Sequence, residues 1–391
     1  MKQAVILAAG EGQRLRPFTA TKPKVMLSIA DKPILAYVIE ALIQSGIRNI
    51  ILVVGYRREQ IFDYISSREN FNIEISYVTQ ERQLGTAHAL AQAKKMTDNE
   101  FLVLPGDNLI EPDTASKLIS LEPNTVLVKR VDNPLGYGVT DVEDGLAQEI
   151  SEKPRETKSN IVNTGIYAFT KDIFNFIKQE LDIPDVLNTM IAQGCSIRAE
   201  EITSTWLDVI YPWDILNLNN IILRQIPSNL SGTIEPGVSL NGPISIGNDT
   251  IIRSNTYIAG PAMIGTGCDI GPNVCIMHAT SIGDNVVVSP FTQIRNSAIG
   301  NDVNIGPGCS IQDSVIDRGC VIQGHFTASS QEAEIKIDAE HHTINIGAMI
   351  GEDCHLNSNV VAQPGVIIGN YTRVQALKKI SGRLPDHSLV L

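Results

Sequence analysis

Between Leu7 and Lys24 the chain reads LAAGEGQRLRPFTATKPK, an apolar run that opens into a segment with two glycines and four cations. Gly10 and Gly12 let backbone N–H groups approach phosphate oxygens closely, while Arg14, Arg16, Lys22 and Lys24 can offset phosphate charge, so the segment suits a triphosphate. Two common phosphate-binding patterns fail at single positions. A dinucleotide fingerprint wants a third glycine where Leu15 stands, and the Gly-Lys-Ser/Thr ending of a P-loop is missing. A solvated basic loop is the plain alternative.

Further short motifs follow in order. Gln80 to Ala87 reads QERQLGTA, Pro105-Gly106-Asp107 closes an apolar run, and Gly136-Tyr137-Gly138, Glu152-Lys153-Pro154, Asn163-Thr164-Gly165 and Trp206-Leu207-Asp208 come after it. Each triplet alone has a turn or strand-edge reading. Together, and with Gly10, Gly12, Arg14, Arg16, Pro17, Thr19, Lys22, Pro23 and Lys24, they resemble the sugar-1-phosphate nucleotidyltransferase family, whose pyrimidine-using members include glucose-1-phosphate thymidylyltransferases. The resemblance implies that Leu7, Ala8, Ala9, Gly10, Gly12, Gln80, Gly85 and Thr86 bind the nucleotide, and that Arg14, Lys24 and Lys153 are catalytic. It also implies that Gly138, Glu152, Lys153 and Asn163 hold the sugar phosphate. Asp107 and Asp208 would hold Mg²⁺, a hard cation that takes carboxylate and phosphate oxygens together. A side-chain amide at Gln80 offers the donor and acceptor that uracil or thymine requires, which favours UTP or dTTP. Val209 and Ile210 stand where the family has Thr-Gly.

The elements that must position these residues show two periodicities. Apolar strands at Gln3 to Leu7, Asn49 to Val54, Ile73 to Thr79 and Phe101 to Leu104 alternate with helices predicted at Lys32 to Ser45 and Thr86 to Met96. That alternation predicts an α/β, Rossmann-like domain with a mostly parallel sheet and ligands at the carboxyl ends of its strands. In the second half an aliphatic residue returns every six positions from Ile246 through Ile252, Ile258, Ile264, Ile270, Ile276, Ile282, Val288 and Ile294. The phase slips by one at Ile299 and resumes at Ile305 and Ile311. Such hexapeptide repeats predict an all-β parallel β-helix of three-sided coils. The family resemblance implies a left-handed winding. The predicted organisation is a catalytic domain at 1–225, a linker at 226–233, the β-helix at 234–376, interrupted from Gly324 to Thr343, and a tail at 377–391.

This fusion resembles bifunctional enzymes that make UDP-N-acetylglucosamine, in which a β-helix histidine acts as general base for acetyl transfer from acetyl-CoA. Here the expected His and Tyr positions hold Pro307 and Ser310, and the family's Ala-Asn-Leu-Arg is replaced by Ala328-Ser329-Ser330-Gln331. His325, His341, His342 and His355 lie nearby as substitutes. The leading expectation is therefore a monofunctional nucleotidyltransferase whose β-helix is a scaffold for a homotrimer, with acetyl transfer as the alternative.

Bulk properties agree. A chain of 391 residues suits two domains, since single cores stop growing at roughly 250–300 residues. A net charge of −12 argues against nucleic-acid binding. No apolar run reaches the roughly 18 residues of a membrane span, the amino terminus has no signal-peptide layout, and the six cysteines lack metal spacing. A cytoplasmic protein with unbridged thiols is expected.

Overall fold

The apolar run Gln3–Ala8 forms strand β1, buried along almost its whole length. In the computed structural model, which describes residues 1–67, 73–110, 114, 117–203, 206–338 and 340–391, the chain divides into two compact units. The first holds residues 1–11, 22–26 and 33–208, and the second residues 12–21, 27–32 and 209–391. The glycine-rich segment is therefore shared between them.

In the first unit, helix α1 (Ile34–Gln44) buries one apolar stripe, including Leu35, Val38, Ile39 and Leu42, and ends at Gly46 in the left-handed conformation. Strand β2 (Asn49–Val54), helix α2 (Arg58–Ser66), strand β3 (Glu74–Thr79), helix α3 (Thr86–Gln92) and strand β4 (Glu100–Pro105) follow. Helix α3 stops short of the expected Met96. Residues 93–96 continue as turns, and Met96 is exposed. Strand β1 pairs in parallel with β2 and β4, and β2 with β3.

Beyond β4 the parallel winding is lost. The next elements are β5 (Asn108–Ile110), β6 (Thr125–Arg130), β7 (Gly138–Glu143), β8 (Leu146–Glu152), β9 (Ile161–Thr170), α4 (Ile183–Ala192), β10 (Arg198–Glu201) and β11 (Trp206–Asp208). The main sheet has the order β3, β2, β1, β4, β9, β6, β10, β8, β7. Strand β9 runs antiparallel to β4 and β6, and β7 and β8 form a hairpin. The sheet is thus mixed rather than mostly parallel. A local cause is visible at Asp144 and Gly145, both at positive φ, which make the two-residue turn that folds β8 back on β7.

The second unit contains helix α5 (Asp214–Leu223) and a β-helix of three parallel sheets with nine, nine and eight strands. One inward ladder runs Ile246, Ile264, Ile282, Ile299, Ile316, Ile350, Ile368. The rung from Ile282 to Ile299 is one residue shorter than that from Ile264 to Ile282, which is the phase slip in the repeat. Polar residues after several of the aliphatic markers occupy left-handed corners, among them Asp249, Asn255, Asn273 and Asn285, where short amide and carboxylate side chains tolerate positive φ, while Ala279 and Phe291 take the same conformation after Ile276 and Val288. The interruption in the repeat is an antiparallel hairpin of Gln331–Ile337 with Glu340–Ile346, after which the ladder resumes. The segment expected as a tail instead adds strands Lys379–Ile380, Arg383–Leu384 and Leu389–Val390, one to each sheet.

All six cysteines are free thiols, and Cys268, Cys309, Cys320 and Cys354 are buried in the β-helix. Among the described residues, no helix is long and apolar enough to cross a membrane. Ile276 is fully buried in the inward stack, so Ile276→Ala should cost about 2–4 kcal/mol through lost transfer energy and a residual cavity. Denaturant titration of the purified variant checks this.

Candidate active site

Three charged side chains from distant parts of the first unit converge on one point. Strand β4 ends at Pro105, and the N–H of the following Gly106 donates to the Leu7 carbonyl at 2.9 Å, tying the end of β1 to the start of the Asp107 turn. Strands β5 and β11 then pair antiparallel with Asp208 opposite Asn108, which brings Asp208 beside Asp107. Asn108 is itself fixed by a 2.9 Å bond from its Nδ2 to the Thr164 carbonyl. The Lys24 ammonium bridges the two carboxylates, in close contact with Asp107 and at 3.1 Å from Asp208 Oδ1. Burial by itself would lower the Lys24 pKa, but the charges and hydrogen bonds of Asp107 and Asp208 outweigh it and raise the ammonium above its ordinary value.

Two carboxylates that share one cation suit a hard metal ion that draws its remaining ligands from water and phosphate. Among the described residues, no cluster of three or more His, Cys, Asp or Glu forms a metal cage supplied by protein alone.

The expected nucleotide residues of this unit surround the ends of β1, β2 and β3. Leu7, Ala8 and Ala9 run out of β1, and the Ala9 carbonyl accepts the Tyr56 N–H at 3.3 Å. A Cβ built on Gly10 would meet nothing within 4 Å, so the backbone there faces open space. Gln80 is almost fully buried and its Nε2 is committed, donating to the Gly85 carbonyl at 3.1 Å and lying 2.9 Å from His88 Nδ1. Gly85 has φ +145, and a Cβ there would overlap the Leu181 carbonyl. Thr86 opens α3 with its N–H donating to Asp182 Oδ1 at 2.9 Å, and its hydroxyl accepts the Ile183 N–H at 2.9 Å. Sequence reasoning missed Asp182. Its only signal was position, since no motif marks a carboxylate that caps a helix so far away in the chain.

The expected sugar residues sit on β7, β8 and β9. Gly138 pairs with Glu152 across the hairpin, and a Cβ on Gly138 would come within 2.9 Å of Glu152 Oε2 and 3.7 Å of Asn163 Cβ. A side chain there would displace the Glu152 carboxylate. Asn163 accepts the Gly165 N–H at 2.9 Å and donates to the Tyr167 hydroxyl at 2.6 Å, which orients its amide. Lys153 lies just past β8 with φ 43, a left-handed backbone uncommon for a long side chain and often retained where function needs it.

The Glu152 carboxyl is raised above its ordinary value, first by desolvation and further by Asp182 and Asp185, against the lowering effect of Lys153. A raised folded-state pKa gives stability that is present below the unfolded pKa and lost as pH rises through the folded one. Glu152→Gln should therefore melt slightly higher than the parent near neutrality, with the gain vanishing below about pH 4. Thermal melts across that range check the sign.

Gly12, Arg14, Arg16, Pro17 and Thr19 of the signature belong to the second unit. Gly12 has φ +74 and its carbonyl accepts the Thr19 hydroxyl at 2.7 Å, while Leu15 and Phe18 are buried. Arg14 makes ion pairs at 3.4 Å with both Asp338 and Glu340. Nothing in the sequence pattern pointed to those two carboxylates.

The chain is similar to known proteins in both of its halves. The family described as "Nucleotidyl transferase" matches residues 3–225, and "Bacterial transferase hexapeptide (six repeats)" matches residues 243–278. A "Bifunctional protein GlmU" of Methanococcus maripaludis is 34% identical over 99% of this chain and 96% of that protein. A "Bifunctional sugar-1-phosphate nucleotidylyltransferase/acetyltransferase" of Sulfurisphaera tokodaii is 32% identical over 95% of each. Among solved structures, a UDP-glucose pyrophosphorylase complexed with UDP-glucose covers 58% of this chain and all of its own length, with a TM-score of 0.53 and 26% identity.

Proposed function

The chain is a member of the nucleotidyl transferase family, and from that premise we propose that it joins UTP or dTTP to a sugar 1-phosphate, releasing pyrophosphate and forming a nucleotide sugar. The convergence of Asp107, Asp208 and Lys24 carries this reading, because a sensor that only bound the product would not need two carboxylates held around one cation. An oxygen of the sugar phosphate attacks the α-phosphorus in line, a new P–O bond forms, and the bond to pyrophosphate breaks. No general base is needed, since a phosphate dianion is already a nucleophile. The protein's work is to position two anions that repel one another and to offset the charge that develops.

Lys24 and Arg14 carry that charge on the triphosphate side, and Lys153 aligns the attacking phosphate. Asp107 and Asp208 would hold Mg²⁺, which supplies neutralisation of the triphosphate when bound. Gln80 reads the pyrimidine edge. With its Nε2 already committed to Gly85 and His88, the carbonyl oxygen is the half of the amide left to meet a base. Glu152, Asn163 and the bare backbone of Gly138 receive the sugar, glucose 1-phosphate or N-acetylglucosamine 1-phosphate. The pyrophosphorylase structure that holds UDP-glucose supports a uridine and hexose pairing.

Pyrophosphate release should be measured with UTP, dTTP, ATP, GTP and CTP against glucose 1-phosphate, N-acetylglucosamine 1-phosphate and glucosamine 1-phosphate. Turnover confined to the pyrimidine pairs UTP or dTTP is expected. Silence in every pair would sink the proposal.

For the β-helix, the comparisons favour acetyl transfer over the purely structural role expected from sequence. The relatives named bifunctional align with more than nine-tenths of this chain, β-helix included. Pro307 and Ser310 still stand where the resemblance places the His and Tyr, so another group must serve as base. His325 is the candidate the fold supports. A Cβ on Gly308 would lie 2.8 Å from its Nδ1, which puts the imidazole over the 307–310 corner one coil on. His341 is paired with Glu334, and His342 packs on Tyr211 and Trp213. Thiol release from acetyl-CoA should then depend on an amino-sugar phosphate and fall about 10²–10⁴-fold in His325→Ala, with pyrophosphate release unchanged. No thiol release from the parent protein would return the β-helix to a scaffold.

The six free thiols support a cytoplasmic setting. Phe291 and Leu377, 72% and 78% exposed on coil corners, support assembly through the β-helix, in which a trimer is expected. Light scattering of the full chain tests the stoichiometry.

A further inference from the structure

Arg14, the residue asked to grip the triphosphate, is held by side chains that have no part in the reaction described above. Its Nε lies 3.4 Å from Asp338 Oδ2 and its Nη2 3.4 Å from Glu340 Oε1. These carboxylates come from the hairpin inserted in the β-helix, 324 and 326 residues further along the chain. Asp338 is at the hairpin turn with φ 54, and Glu340 opens the returning strand. Glu340 is braced in turn. It accepts a short hydrogen bond from the Tyr211 hydroxyl, and the Tyr211 ring stacks on Trp213 at 4.9 Å and packs against His342 at 4.3 Å.

The same segment is anchored a second time. The buried Asn370 donates from Nδ2 to the Pro17 carbonyl at 3.1 Å, while its Oδ1 accepts the Glu352 N–H at 2.8 Å. With Leu15 and Phe18 buried, residues 12–21 are fastened to the β-helix at backbone and side chain alike.

Exposed ion pairs add little to stability, so the arrangement calls for another account. A free arginine loses much rotamer freedom when it must present its fork to a phosphate. Two carboxylates on the Nε and Nη2 protons remove that freedom beforehand and leave both Nη1 protons for an anion. The same carboxylates also repel a triphosphate. Asp338 and Glu340 are 67% and 42% exposed, however, so water screens the repulsion, whereas the lost freedom of the guanidinium is not screened.

We propose that Asp338 and Glu340 are positioning residues for nucleotidyl transfer, acting through Arg14, so that the β-helix hairpin sets the affinity for the nucleoside triphosphate. This rests on the role given to Arg14 above. The test uses the full chain, with steady-state pyrophosphate release for Asp338→Asn, Glu340→Gln, the pair together, Tyr211→Phe, and Arg14→Ala with and without the pair.

The paired variant should raise KM for the nucleotide about tenfold, with KM for the sugar phosphate and the melting temperature unmoved. Tyr211→Phe keeps the ring stack, loses the bond to Glu340, and should give about threefold. In the Arg14→Ala background the pair should add nothing. A nucleotide KM that stays the same or falls in the paired variant overturns the proposal, as does an effect that persists without Arg14. Full activity in Arg14→Ala would overturn the reading of Arg14 itself, and the proposal with it.

Discussion

Asp107→Ala should lower kcat for nucleotidyl transfer by about 10²–10³-fold, the cost of removing one preorganised electrostatic group from a phosphoryl-transfer site. The expected size follows from how rigidly the carboxylate is placed. It follows Gly106, whose N–H is bonded to Leu7, and it precedes Asn108, which is buried and bonded to Thr164. No neighbouring acid can swing into its position, because Asp208 is fixed by the β5–β11 register. Asp107→Asn keeps the shape and drops the charge, so it should be nearly as poor as alanine. The sugar-phosphate KM should move little, since Gly138, Glu152 and Asn163 belong to other strands. Steady-state pyrophosphate release at saturating Mg²⁺ checks the prediction, and a kcat within about threefold of the parent would contradict it.

Lys24→Met carries the second large effect, and it has two readouts. The ammonium is the shared partner of Asp107 and Asp208, and all three side chains are largely sheltered. Removing it leaves two like charges at close range without the ammonium they share, a cost of about 2 kcal/mol by analogy with broken, partly buried pairs. The variant should therefore melt below the parent in chelator-treated buffer. Added Mg²⁺ should restore part of the difference, because an ion that binds only the folded state stabilises it by mass action. Activity should still fall about 10²-fold even with the metal present, since the charge offset on the triphosphate is gone. A melting temperature blind to Mg²⁺ would argue that the two carboxylates do not share an ion.

How far the chain could be read in advance depended on the range of the signal. The six-residue period needs only local spacing, and every marker from Ile246 to Ile294 is found fully or almost fully buried in one stack. Even the slip at Ile299 corresponds to a real short rung. Strands β1 to β4 were legible for the same reason, as apolar runs flanked by helices. The antiparallel half of the sheet was not. Its strands alternate in burial and carry charges, as in β8 with its exposed Gln148 and Glu149, and the Asp144-Gly145 turn that marks the hairpin went unread.

Within the candidate site, Lys24, Asp107 and Asp208 were named from motifs and are brought together by the fold. Their convergence depends on a strand register that no local pattern encodes. Asp338 and Glu340 lie in the stretch where an insertion breaks the repeat, and a broken period says that something is inserted without saying what it touches. The last coil was missed because Leu384 and Leu389 fall off the six-residue phase, although the main chain still finds its partners at Ile368 and Arg373.

The hairpin leaves the coil and the ladder closes behind it, Ile316 pairing directly with Ile350 as though nothing lay between. The hairpin nonetheless packs on the coil, since Ile335 and Ile337 are buried and Ala333 and Ile335 lie against Gly365. If Asp338 and Glu340 position Arg14 as proposed, a change in this hairpin would alter nucleotide affinity while leaving Lys24, Asp107 and Asp208 untouched.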